Sequence, residues 1–203
     1  MPKIHKLLLA LLILVVFGLA SATPTYAGPV VVGGPWVEFI FLGVGVPARG
    51  CFPTDPLSPF GCVPSTGGNS IFGDAPPYTF TAGATGVNLT VTDAFNHGDA
   101  LNVFDFGTLI GTTPTVAADG GNCLSDPVPC SVDAAVSHAI FSLAPGMHSL
   151  SFAARISVLG QGAAYFRLDQ GQGPAVPEPA TMLLLGTGLA GIAAKVRRRR
   201  QAK

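Results

Sequence analysis

Glycine and proline interrupt the central part of this 203-residue chain so often that long helices cannot form there. Between residues 28 and 176, 22 glycines and 14 prolines account for about a quarter of all positions. Proline lacks a backbone N–H and clashes with the preceding helical turn, and glycine loses more conformational freedom than any other residue when it is ordered. A domain built from this segment therefore consists of short elements joined by frequent turns.

Apolar residues alternate with polar ones in several short segments of this central region. The alternating segments are residues 78–82, 87–92, 149–158 and 165–169. A period of two residues predicts β-strands with one buried face. Residues 37–46 are apolar on both faces and predict a buried strand that bends at Gly43 or Gly45. We predict that residues 28–170 form an all-β domain, an antiparallel β-sandwich or jelly roll with at least six strands and almost no helix.

Two short sequences predict tight turns between neighbouring strands. Asp105-Phe106-Gly107 connects residues 100–104 to residues 108–112 and predicts a hairpin. Pro145-Gly146 predicts a turn that leads from residues 139–143 into the longest strand. A glycine- and serine-rich stretch at 65–75 predicts a mobile loop, and residues 171–176 predict a linker.

The first 27 residues are typical of a signal peptide. Two lysines precede the apolar run Leu7–Leu19, which is too short to span a bilayer comfortably. Cleavage after Ala22 fits the small-x-small rule, but we favour cleavage after Ala27, because Pro24 ends the apolar helix ahead of that bond. A retained N-terminal anchor is the alternative.

The last 27 residues, 177–203, consist of three parts in order. Pro177-Glu178-Pro179 is held extended by its prolines, the apolar segment Ala180–Ala194 follows, and the basic cluster Arg197-Arg198-Arg199-Arg200 comes last. Fifteen helical residues cover about 22 Å, which is less than the hydrocarbon thickness of about 30 Å. Basic residues near both ends of the chain predict that both lie in the cytoplasm and that the middle lies outside.

This three-part order closely resembles the PEP-CTERM sorting signal of Gram-negative bacteria. The resemblance implies export through the Sec machinery, a transient hold in the inner membrane by the C-terminal helix, and recognition by exosortase, a membrane-embedded transpeptidase-like protease. It also implies a final location at the cell surface or in the extracellular matrix of a bacterium that makes exopolysaccharide. Residues 91–113 and 141–169 look like the domain of other PEP-CTERM proteins, which brings no activity with it. An ordinary tail anchor is the alternative.

The net charge of zero is a cancellation between the ends and the middle of the chain. Residues 28–176 carry three arginines, no lysine and ten acidic residues, which is a net charge of −7. An acidic domain repels phosphate backbones and anionic lipids, so we expect no nucleic-acid partner. Aspartate is also common in turns, and turn formation and solubility are the alternative explanation of the acidic count.

Four cysteines lie in two close pairs, Cys51 with Cys62 and Cys123 with Cys130. Export to an oxidising compartment favours disulfides over free thiols. Of the three possible connectivities, pairing within each close pair is the simplest. The spacings do not fit a zinc site, which needs cysteines two to four residues apart.

Polar residues that could bind calcium are concentrated near strand ends and loops: Asp93, Asp99, Asp105, Asp119, Asp126, Asn96 and Asn122. Calcium takes six to eight oxygen ligands, but no D-x-D-x-D-G loop occurs, so calcium is a weak hypothesis and no other cofactor is expected. We interpret His97, His138 and His148 as surface or strand-end residues.

Two functional hypotheses remain. The first is a non-catalytic surface or matrix protein that binds polysaccharide, for which Trp36 and Tyr165 are candidates for stacking on a sugar ring, although a core position is the alternative for Trp36. The second is a secreted hydrolase with a carboxylate pair at the sandwich edge. The sorting signal, the acidic domain without lysine and the absence of a recognisable catalytic motif such as G-x-S-x-G lead us to favour the first. Two carboxylates about 5–10 Å apart in an open cleft would favour the second.

Overall fold

The computed structural model describes residues 28–58 and 62–171. The predicted signal peptide, the sorting signal at 177–203 and the linker beyond Gly171 lie outside the described residues. The strands are β1 Gly28–Pro29, β2 Trp36–Phe41, β3 Ser70–Phe72, β4 Tyr78–Ala82, β5 Val87–Asp93, β6 Ala100–Asp105, β7 Thr108–Thr112, β8 His138–Leu143, β9 Gly146–Ile156 and β10 Gly162–Gln170. One short helix, α1, spans Pro127–Cys130 between β7 and β8. In the described part of the chain, no helix is both long and apolar enough to cross a membrane.

Ten strands form two sheets of five, as the sandwich prediction requires. The first sheet has the order β1-β4-β9-β6-β7, and the second sheet has the order β3-β2-β10-β5-β8. Most neighbours are antiparallel, but β1 runs parallel to β4 and β3 runs parallel to β2. The predicted sandwich is confirmed, and the two parallel pairs at its edges make both sheets mixed. Long connections lead to the short edge strands, and a long connection allows a strand to return in the parallel direction.

Aromatic rings fill the space between the two sheets. Phe39 stacks on Phe152 with ring centroids 4.4 Å apart, and Tyr78 packs against Phe166 at 4.9 Å. All four side chains are at most 1 % exposed. These residues sit at alternate positions of their strands, so the period-two pattern in the sequence corresponds to the inner faces of the sheets.

The predicted strand at 37–46 is shorter than expected. Its first half forms β2, which is buried on both faces as predicted, but β2 ends at Phe41. Gly43 and Gly45 then adopt φ values of 140° and 75°, which turn the chain away from the sheet. As a result Val44 and Val46 are 61 % and 42 % exposed rather than buried.

The glycine- and serine-rich stretch at 65–75 is not entirely a loop. Its residues Ser70–Phe72 form β3, which pairs with the first half of β2. Asn69 also holds this stretch in place, because its side chain donates a hydrogen bond to Asp126 at 2.9 Å. Contacts with distant residues therefore order a segment that local composition describes as a loop.

Candidate functional site

The outer face of the second sheet is covered rather than exposed to solvent. Val37, Phe39 and Phe41 of β2 point into the sandwich, so Trp36 and Glu38 point to the opposite side. These two side chains are nevertheless only 2 % and 0 % exposed. The segments around Cys51–Cys62, Ala94 and Ser125 lie over them and close a second, smaller interior.

Glu38 lies beside one of the two predicted disulfides. Cys51 pairs with Cys62, and Cys123 pairs with Cys130 across α1, so local pairing is what the structure has. A carboxylate oxygen of Glu38 lies within 4.8 Å of both Cys51 Sγ and Cys62 Sγ. Cys51 Sγ also lies 3.1 Å from the backbone carbonyl oxygen of Glu38. Cys62 follows Cys51 by 11 positions in the chain.

A cavity of about 360 Å³ opens next to this carboxyl group and disulfide. Glu38 and Cys62 contribute to its wall, and most of the remaining lining is apolar, including Phe41, Leu42 and Leu159. The cavity therefore leads from the surface to the more accessible of the two sulfurs, since Cys62 is partly exposed and Cys51 is fully buried.

The Glu38 carboxyl group has no hydrogen-bond partner among the described residues. The nearby Tyr165 hydroxyl has one proton and donates it to the carbonyl oxygen of Ser125 at 3.0 Å. Burial raises the pKa of Glu38 to about 7, and the attraction of the Val63 N–H and the Tyr165 hydroxyl opposes this only in part. Glu38 therefore keeps its proton to a higher pH than an ordinary carboxyl group.

The aromatic residues predicted to stack on a sugar are both unavailable for it. Tyr165 is 0 % exposed, and Trp36 is 2 % exposed and packs with Tyr165 and Ala94. The Arg167 guanidinium lies 4.8 Å from the centre of the Trp36 ring and covers it further. The interpretation of Tyr165 as an exposed residue is wrong, because loops far away in the sequence cover its face of β10.

The residues proposed for calcium do not come together. Asp105 contacts His148 on the first sheet, Asp119 contacts His97 in a loop, and Asp126 caps α1 by accepting a hydrogen bond from Val128. Asn96 and Asn122 hydrogen-bond to each other at 3.2 Å. Within residues 28–58 and 62–171, the one cluster of three or more His, Cys, Asp or Glu ligand atoms is that of Glu38 with the Cys51–Cys62 disulfide.

Asp93 and Asp99 are two predicted calcium ligands whose carboxyl groups influence each other electrostatically. They are 0 % and 6 % exposed. Asp93 Oδ1 accepts a hydrogen bond from the Ala94 N–H at 2.9 Å, while its Oδ2 is buried without a partner among the described residues. Burial and then the negative charge of Asp99 raise the pKa of Asp93 to about 8. Burial also raises the pKa of Asp99, whose Oδ1 accepts a hydrogen bond from the Val158 N–H.

Two of the three histidines are buried, which corrects their interpretation as surface residues. His97 is 9 % exposed and contacts Asp119 at 2.9 Å. His148 is 8 % exposed, and its two ring nitrogens face Asp105 Oδ2 at 2.7 Å and the Ala144 carbonyl oxygen at 2.8 Å. Both of those partners accept hydrogen bonds, so the His148 ring serves as a donor that ties strand β9 to its neighbours.

The comparison with protein families gives a match at residues 175–200, described as a PEP-CTERM protein-sorting motif. This range includes the Pro-Glu-Pro sequence, the apolar segment and the basic cluster that the sequence analysis singled out. No curated protein is significantly similar to the chain. The chain therefore carries a PEP-CTERM protein-sorting motif, which implies an exported, membrane-associated cell-surface protein that exosortase sorts and processes.

Proposed function

We propose that the protein is a non-catalytic component of the cell surface or extracellular matrix that associates with exopolysaccharide. The observation that carries this proposal is the sorting motif at residues 175–200, which follows a disulfide-linked β-sandwich directly in the sequence. A sandwich closed by disulfides suits an oxidising exterior, because cross-links limit the unfolding of an exported domain.

The positions of the carboxyl groups support a binding role over the alternative of a hydrolase. A two-carboxylate glycosidase holds its acid and its second carboxylate on either side of a bound sugar, in a cleft that water can reach. Asp93 and Asp99 influence each other electrostatically, but both are buried. Glu38 is the one acidic residue that lines its cavity.

The charge of the domain favours a neutral polysaccharide. Residues 28–176 carry a net charge of −7 without a single lysine, so an anionic polymer would be repelled. The edge strand β7 offers the exposed hydroxyl groups of Thr108 and Thr112, and hydroxyl groups hydrogen-bond to sugar hydroxyls without needing charge.

Replacing Pro177-Glu178-Pro179 with three alanines tests the sorting part of the proposal. Alanine allows the apolar helix to extend outward and removes the element that exosortase recognises. We expect this variant to accumulate uncleaved in the inner membrane, as measured by cell fractionation and intact-mass analysis. Alanines at Gln172 and Gly173 in the linker provide the control and should leave sorting unchanged. A triple-alanine variant that reaches the surface at the normal mature mass would refute the sorting role.

The exopolysaccharide part is tested with the purified, processed protein. We expect it to co-sediment with exopolysaccharide from its own host and to be shed into the medium by cells that make none. Release of new reducing sugar ends during the incubation would instead favour the hydrolase.

A further inference from the structure

We propose that Cys51–Cys62 is an exchangeable disulfide, which a dithiol partner opens through the cavity beside it, and that Glu38 is the group that gives a proton to the released Cys51. This inference is independent of the sorting motif and of any polysaccharide. It rests on three features of the covered face of the second sheet, which are the unequal exposure of the two sulfurs, the position of Glu38 and the contrast with the other disulfide.

The two cysteines of this disulfide differ in their exposure to solvent. Cys62 is partly exposed and lines the cavity of about 360 Å³, whereas Cys51 is 0 % exposed. An incoming thiolate must approach along the S–S axis and attack a sulfur that it can reach. The accessible sulfur is that of Cys62, so Cys51 is the leaving group.

A thiolate released at Cys51 would be a buried charge. Such a charge is costly in an apolar interior, so its departure is slow unless a proton is supplied. Glu38 is the acid within reach, since a carboxylate oxygen lies within 4.8 Å of both sulfurs. A small movement of the released sulfur, or one water molecule, spans that distance. Neither oxygen of Glu38 meets the geometry of a hydrogen bond with another described residue, and the Val63 N–H and the Tyr165 hydroxyl attract its charged form.

The second disulfide lacks this arrangement. For Cys123–Cys130, no carboxylate oxygen or histidine nitrogen among the described residues lies within 4.8 Å of both sulfurs. The carbonyl oxygen of Cys123 lies 3.3 Å from Cys130 Sγ, and a carbonyl cannot supply a proton. Cys123–Cys130 therefore serves as an internal comparison in the same molecule.

The exchange has two steps. A thiolate of the dithiol attacks Cys62 Sγ and forms a mixed disulfide, while the electron pair of the Cys51–Cys62 bond leaves with Cys51 Sγ. Glu38 transfers its proton to that sulfur and regains one from water. The second thiolate of the dithiol then attacks its own partner sulfur in the mixed disulfide and releases Cys62, which is protonated by water. Two electrons pass from the dithiol to the cysteines, and the dithiol ends as a cyclic disulfide.

Two titratable groups lie around Glu38. β10 contributes Tyr165, and the N-terminal cap of α1 contributes Asp126, whose charge acts on Tyr165. Burial is the largest influence on Glu38 itself and raises its pKa to about 7.

The test measures how fast dithiothreitol reduces each disulfide in the purified mature protein. Samples are alkylated at intervals, and mass spectrometry reports the two disulfides separately. We expect Glu38→Gln to slow reduction of Cys51–Cys62 by about tenfold at pH 7, since positioned acids typically contribute this much or more. Reduction of Cys123–Cys130 should be unchanged. Asp93→Asn is the matched control, because it neutralises another buried acid and should affect neither rate.

A second measurement needs no variant. When the rate for Cys51–Cys62 in the wild type is divided by the dithiothreitol thiolate concentration, it should fall as the pH rises through about 7, because Glu38 loses its proton there. The corresponding rate for Cys123–Cys130 should stay level. Three outcomes would overturn the proposal. The wild-type rate at Cys51–Cys62 could stay level with pH, or Glu38→Gln could slow reduction of both disulfides equally. The third is that the first adduct forms at Cys51 instead of Cys62.

Discussion

Glu38 and Asp93 are carboxyl groups that folding removes from water without full compensation by hydrogen bonds. Burial raises their pKa values to about 7 and about 8, whereas both titrate near 4 in an unfolded chain. The folded state therefore keeps protons that the unfolded state releases as the pH rises past about 4. The contribution of these two groups to the free energy of unfolding therefore decreases between about pH 4 and pH 8. Above that range their contribution no longer changes with pH.

Asp93→Asn tests this pH dependence at a residue outside the proposed exchange site. Asparagine keeps the oxygen that accepts the Ala94 N–H but cannot ionise, so the variant should be more stable than the wild type at pH 8.5, by on the order of 2 kcal/mol. The difference should shrink towards pH 4. Urea unfolding at several pH values measures it. The exposed residue Asp74, changed to Asn, is the control, and a curve for Asp93→Asn parallel to that of the wild type would contradict the assignment.

The hairpin between β6 and β7 is the element whose shape follows most directly from local sequence. Its two central residues, Phe106 and Gly107, have φ values of 47° and 76°, as a type I′ turn requires. Glycine adopts such values freely, whereas phenylalanine does so at a cost. The predicted hairpin is confirmed, and one of its two turn positions is occupied by an unfavourable residue type.

Substitutions in this turn should have opposite effects. Gly107→Ala should lower the free energy of unfolding by about 1 kcal/mol, and the cost should be pure backbone strain, because an added Cβ has no atom within 4 Å. Phe106→Asn should raise the free energy of unfolding by about 0.5 kcal/mol, since asparagine tolerates positive φ and the Phe106 side chain is exposed. Chemical denaturation monitored by circular dichroism distinguishes the two, and equal destabilisation by both would argue against the type I′ turn.

The stacked aromatic rings between the sheets hold the whole molecule together. Phe152 contacts Phe39, Tyr78 and Phe166, so one ring from β9 joins strands of both sheets. Neighbouring rings contribute beyond the apolar area that they bury. Loss of this ring leaves a cavity at the centre of the sandwich, which the strands cannot close without giving up their register.

Phe152→Ala should therefore destabilise the protein by about 3–5 kcal/mol. That is a large share of the stability of an ordinary domain. Leu109→Ala is the control, because Leu109 on the edge strand β7 is 52 % exposed and should change stability by less than about 0.5 kcal/mol. Thermal and urea unfolding of both variants provide the measurement, and similar losses would mean that the core is not where the structure places it.

Several features of this protein could be predicted because they depend on residues close together in the chain. The period of two in β4, β5 and β9 follows from the geometry of a single strand. The two disulfides join cysteines only 11 and 7 positions apart. The sorting motif is likewise a continuous stretch of sequence, at residues 175–200.

Other features depend on segments that meet only in three dimensions. Whether Trp36 and Tyr165 are exposed was decided by loops that cover the outer face of the second sheet, and not by their own strands. The separation of the aspartates, and the placement of Glu38 beside Cys51 thirteen residues away, also follow from the order of strands in the sheets. Burial and charge environment are properties of a neighbourhood in space. The sequence by itself therefore determined the type of fold, the turns and the sorting motif, while the tertiary structure alone decided which polar groups are buried and which of them act on one another.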